Sequence, residues 1–109
     1  MSPDLAARQV LMSCYLYYGC NCNVLDDAQY DAATRLVAER WSEIDPVRQF
    51  QLGSPEKILT TGSHVKLTRY TICAAMAWHH QIVGHYPEPD LSRPRWKYDP
   101  TIRCEWRSL

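Results

Sequence analysis

The 109-residue chain predicts a mainly α fold: an N-terminal antiparallel helical hairpin, a third long helix and an extended Pro-rich C-terminal arm. Three observations carry this. Two stretches with helical spacing of apolar residues flank the short loop "CNCNVL". A third such stretch, "TRYTICAAMAWHHQIV", spans Thr68 to Val83. After His85, Pro87, Pro89, Pro94 and Pro100 exclude a long helix. Trp96, Tyr98, Ile102 and Trp106 nevertheless make that tail too apolar for disorder.

The first helix is expected over residues 3–18. Ser2 caps it, Pro3 suits its first turn and Asp4 complements its dipole. Leu5, Val10, Leu11, Cys14 and Tyr18 form its apolar stripe, and Gly19 stops it. Asn21 and Asn23 shape the loop. Asp26 or Asp27 then caps a second helix, "DAQYDAATRLVAERW", ending at Trp41. Its inner face holds Tyr30, Ala33, Leu36, Val37 and Trp41. Asp45-Pro46 breaks the pattern. Ser54 caps a short helix over 55–60, which Gly62 ends. The long helix over 68–83 presents Ile72, Ala75, Met76, His79 and Val83 on one face, with Cys73 as core, and stops at Gly84. An extended arm with a short turn at 100–106 completes one domain over 1–109, divided as 1–52, 53–84 and 85–109.

Composition narrows the function classes. Apolar content of 46% and charged content of 22% are those of an ordinary globular protein, and no apolar run approaches membrane-spanning length. Met1-Ser-Pro-Asp lacks the basic start and apolar run of a signal peptide, so a cytoplasmic location is expected. Five cysteines, an odd number, argue for free thiols over a disulfide framework. Net charge is zero, but residues 1–50 carry seven acidic and four basic residues against five and eight in 51–109. That contrast is too small to indicate nucleic acid.

The chemistry concentrates around "CYLYYGCNCNVLDDAQYD". Asp27, Tyr30 and Asp31 are spaced i, i+3 and i+4, so they share one face of the second helix's first turn. A hairpin brings Tyr17 and Tyr18, at the end of the first helix, beside them. Phenol rings stack on a flat ring and attract a cationic one. Carboxylates accept hydrogen bonds from ribose hydroxyls or a carboxamide. Nicotinamide mononucleotide (NMN) combines these groups. The bland alternative is that the tyrosines only pack the hairpin and the aspartates only cap a helix. Capping accounts for one aspartate but not for Asp31.

Other features have milder readings. Cys20-x-Cys22 would be a metal half-site with His64, His79, His80, His85 or Cys104. Structural zinc sites use wider Cys spacing and a second pair, so two reduced thiols and no metal are expected. His79-His80, late in a helix, complement its dipole. In the tail, Arg93, Arg95, Trp96, Tyr98 and Trp106 interleave basic and aromatic groups. Such a surface suits a protein partner. Single-stranded nucleic acid is the lesser reading, because Asp99 and Glu105 interrupt the charge.

"YLYYGCNCNVLDDAQYDAATRLVAE" also resembles the N-terminal helical subdomain of NAD-dependent DNA ligases. That family carries a Tyr-x-Tyr-(Tyr/His) segment, then, nine residues on, an Asp that opens an Asp-x-x-Tyr-Asp motif. Here Tyr18 to Asp27 has that step, and Asp27-Ala28-Gln29-Tyr30-Asp31 completes the motif. "GSPEK" echoes the Asp-Ser-Pro segment that follows, so the likeness covers about residues 5–57. It implies a site for the NMN half of NAD+ built from Tyr17, Tyr18, Asp27, Tyr30 and Asp31. The chain departs from the family in its chemistry. None of Lys57, Lys66 or Lys97 opens the Lys-x-Asp-Gly motif that carries adenylation, and the remaining ligase modules have no room. The chain therefore looks like the small stand-alone ligase-related proteins of bacteriophages and prophages, acting in an infected bacterial cytoplasm. The resemblance implies a non-catalytic accessory protein that binds NAD+ or NMN. The alternative is a protein-interaction module, a phage accessory or anti-defence factor docking on a host complex, with the hairpin as scaffold. An enzyme cleaving NAD+ ranks last, because no nucleophile or general base stands out.

Overall fold

The computed structural model describes residues 1–90 and Ser92. It is mainly helical, and no strand occurs among the described residues. Helix α1 (Pro3–Cys14) is the hub. Pro3, Ala6, Ala7, Val10, Leu11, Met12, Ser13 and Cys14 are all buried, so it is covered on most of its circumference rather than along one stripe. Helix α2 (Asp27–Glu39), helix α3 (Pro46–Leu52) and helix α5 (Arg69–Val83) all pack on it, and helix α4 (Pro55–Thr60) packs on α2. Leu16, Leu52, Val10, Val37 and Cys14 are the largest fully buried side chains. Leu5, expected in the stripe of α1, is instead exposed.

The start signals act as expected. Ser2 Oγ accepts from Leu5 N at 3.1 Å, and Ser54 Oγ from Lys57 N at 3.1 Å. Thr68, expected as the first residue of the long helix, is instead its cap: its Oγ1 accepts from Thr71 N at 3.0 Å. At α2 the cap is Asp26, which closes a capping box with Gln29: each side chain bonds the other's backbone N–H, at 2.8 and 3.0 Å. Asp27 is left unused by capping.

Three boundaries differ from expectation. The α-helix ends at Cys14, and Tyr15–Gly19 continue as one turn of π-helix. Asn21, not Gly19, makes the stop: at φ 56° it takes the left-handed conformation that Asn tolerates, and Cys22 N bonds Leu16 O at 3.0 Å. Helix α2 ends at Glu39, and Trp41–Glu43 form a single 3-10 turn. Asp45-Pro46 breaks one helix but also starts another. Asp45 Oδ1 accepts from Val47 N at 2.9 Å and Pro46 occupies the first turn of α3, where its missing N–H is harmless. Asp4 reinforces that junction, accepting from Asp45 N at 3.0 Å and lying 3.5 Å from Arg48.

A polar seam joins α3 to the start of α5. Buried Gln51 exchanges bonds with Lys66: its backbone O accepts from Lys66 N at 2.9 Å, and its Nε2 donates to Lys66 O at 3.1 Å. The same Nε2 donates to Thr71 Oγ1 at 3.0 Å. Every amide hydrogen used here is satisfied inside the core, which is what makes a buried glutamine tolerable.

Helix α5 turns Thr71, Ala75 and His79 inward. Val83 is 46% exposed, since it lies past the last packed turn. Cys73, expected in the core, is exposed, because it falls between the buried positions 71 and 75. Gly84 ends the helix at φ 97°. Residues 85–90 then run without helix. Pro87 is buried and Asp90 N bonds Gly19 O at 2.6 Å, so this segment lies against the hairpin end. The turn expected at 100–106 and Cys104 lie outside the described residues. No helix among the described residues is long and apolar enough to cross a membrane.

Candidate functional site

The five residues singled out from the sequence, Tyr17, Tyr18, Asp27, Tyr30 and Asp31, all line one cleft of about 320 Å³. That volume is at the lower end for a small-molecule site. The hairpin forms one wall. The end of α4 and the turn after it, Ile58 to Gly62, form the other.

The π-turn delivers the tyrosines. Its wider i→i+5 winding buries Tyr15 and Leu16 in the core while Tyr17 and Tyr18 reach the cleft. Their rings meet edge to face, with centroids 4.8 Å apart and planes at 87°. Tyr17 is 58% exposed and Tyr18 half-buried.

Asp27 and Asp31 stand exposed at the rim, one turn apart on α2. Neither carboxylate has a hydrogen-bond or ion-pair partner among the described residues. Tyr30, between them in sequence, reaches deeper: its hydroxyl lies 3.5 Å from Cys14 Sγ. Burial pushes the Cys14 thiol up to about 11, offset slightly by the bond to Tyr30. Burial, with Cys14 beside it, also raises the Tyr30 phenol well above its ordinary range. Both groups are therefore protonated and neutral at physiological pH.

The floor is closed by Gly62. A methyl group there would come within 2.5 Å of Cys14 Sγ and 3.0 Å of the Tyr30 hydroxyl. Glycine is thus required by close approach. As a helix terminator alone, the role expected for it, another residue would serve. Ser13 also lines the cleft, and its buried Oγ has no partner among the described residues. Nothing local in the sequence marks Ser13 or Gly62 as part of a cleft.

Sequence reasoning missed the second wall, because α4 meets α2 only through tertiary packing. The surface expected from Arg93, Arg95, Trp96, Tyr98 and Trp106 lies outside the described residues. Elsewhere, His79 is buried and its Nδ1–H donates to His85 O at 2.8 Å, while the His80 ring lies 4.4 Å from that of Tyr86. Cys14, Cys20, Cys22 and Cys73 are free thiols. Among the described residues no three His, Cys, Asp or Glu side chains group as a metal ion would require.

The arrangement can enclose a flat ring against phenol faces, hold a positive charge near two carboxylates, and bond hydroxyl or amide groups. Its thiol is buried and protonated, and no histidine is among the described residues that line it. Comparison with known proteins finds no matching family model, no matching curated protein and no matching solved structure.

Proposed function

We propose that the protein is a non-catalytic, ligase-related binding module whose cleft holds the NMN portion of NAD+ or NMN itself. The observation that carries this reading is the convergence of Tyr17, Tyr18, Asp27, Tyr30 and Asp31 on one cleft, with both carboxylates left unpaired by the described fold. Stacking against the tyrosines would hold the ring, and the aspartates would take the ribose hydroxyls or the carboxamide NH2. Calorimetric titration tests it. Heat is expected on adding NMN or NAD+ to the wild type and none with Asp31→Ala. A wild type that gives neither heat nor chemical-shift change at millimolar ligand refutes the reading.

A second reading, a protein-docking module, draws on Ile82, Val83 and Tyr86, which are exposed together at the end of α5. It predicts capture of a defined partner that survives Asp31→Ala and is lost when Ile82→Asp is combined with Tyr86→Ser.

A further inference from the structure

The charge of the cleft selects among ligands that share a nicotinamide ring. Among the described residues no Lys, Arg or His lines it, and the charged groups that do are Asp27 and Asp31. Arg35 and Lys57, on the two helices that form its walls, are not among the lining residues. Several backbone amides around the cleft are engaged within the fold. At the start of α2, Gln29 N donates to Asp26 Oδ1 and Tyr30 N to Asp26 O. On the opposite wall, Thr61 N donates to Lys57 O, and Ser63 N to Thr61 Oγ1. A phosphate placed here would meet two carboxylates and no counter-charge from the described lining residues, whereas a cationic ring would meet phenol faces and the same carboxylates. Deeper in, Ser13 Oγ lacks a partner among the described residues and the Cys14–Tyr30 pair is neutral, so the inner wall favours an uncharged polar group such as a carboxamide.

We infer that the cleft takes a cationic pyridinium nucleoside without a phosphate, nicotinamide riboside by chemical class, in preference to its 5′-phosphate. This rests on the nicotinamide reading above and narrows it: the protein recognises the oxidised ring and the sugar, and the phosphate weakens binding. The dihydro form of the riboside is neutral, so it loses the attraction to both the phenols and the carboxylates.

Calorimetry at low ionic strength with three probes decides the matter: nicotinamide riboside, NMN and dihydronicotinamide riboside. NMN is expected to bind about tenfold more weakly than the riboside, and the dihydro form about tenfold more weakly or not at all. Combining Asp27→Asn with Asp31→Asn is expected to remove the penalty against NMN. The inference is overturned if NMN binds the wild type as tightly as the riboside, or if the dihydro form matches the oxidised one. In either case the nicotinamide site itself survives. Absence of binding by all three probes overturns both.

Discussion

The floor and the mouth of the cleft are built in opposite ways. At the floor, Cys14, Tyr30 and Gly62 meet at contact distance, buried and neutral. At the mouth, Asp27, Asp31 and Tyr17 stand exposed, and the carboxylates bond nothing else described. Packing explains every residue of the floor. It explains neither aspartate of the mouth, and that surplus is what makes the mouth a candidate for binding. If this division holds, substitutions at the floor should alter stability, and those at the mouth should alter ligand binding alone.

The sharpest way to break the comparison is Gly62→Val, which forces carbon into space held by Cys14 Sγ and the Tyr30 hydroxyl. A loss of roughly 3 kcal/mol in a denaturant titration is expected. A loss under about 0.5 kcal/mol would mean that the floor is not packed as described.

Alkaline pH probes the same place with no substitution. The fold raises the Cys14 thiol from its ordinary 9.0 to about 11, so it favours the protonated form. That contribution is fully present below about pH 9 and is lost as pH rises through about 11. The Tyr30 phenol shifts in the same direction. The two-unit rise at Cys14 corresponds to a fall of order 2 kcal/mol across this window, read from unfolding midpoints. Cys14→Ala, although less stable, should show a shallower alkaline limb; an unchanged limb would remove Cys14 from the account.

Asp26 tests the border between the two regions. As cap of α2 it should cost about 1 kcal/mol when changed to Ala, with Asp27→Ala costing clearly less. Equal losses would mean that both aspartates serve the helix end, and the mouth would lose its surplus. The smallest expected effect on stability belongs to Asp27→Asn combined with Asp31→Asn, within about 0.5 kcal/mol of wild type. A larger loss of stability would assign the carboxylates a structural part that no described contact accounts for.

Much of this molecule is written in local order. Helix starts at Ser2, Asp26, Ser54 and Thr68 follow from side chains that satisfy orphan N–H groups three residues on, a relation confined to one turn. The spacing of Asp27, Tyr30 and Asp31 fixes their common face for the same reason, and a short loop returns that face to Tyr17 and Tyr18. Helix α3 is an exception: Asp45-Pro46 is a start signal as well as the stop expected of it. The π-turn is another, because "YLYYG" has no local preference that separates i→i+5 from i→i+4 winding.

What the sequence determined alone is four of the five described α-helices, most of their caps and the five polar and aromatic residues of the hairpin wall, all consequences of contacts within a few residues. Tertiary structure decided that this wall has an opposing one. The α4–Gly62 segment folds back on Cys14 and Tyr30, across 48 and 32 positions of sequence, because only glycine lets its backbone approach the buried thiol so closely. That long-range contact turns a row of side chains on a hairpin into a cleft.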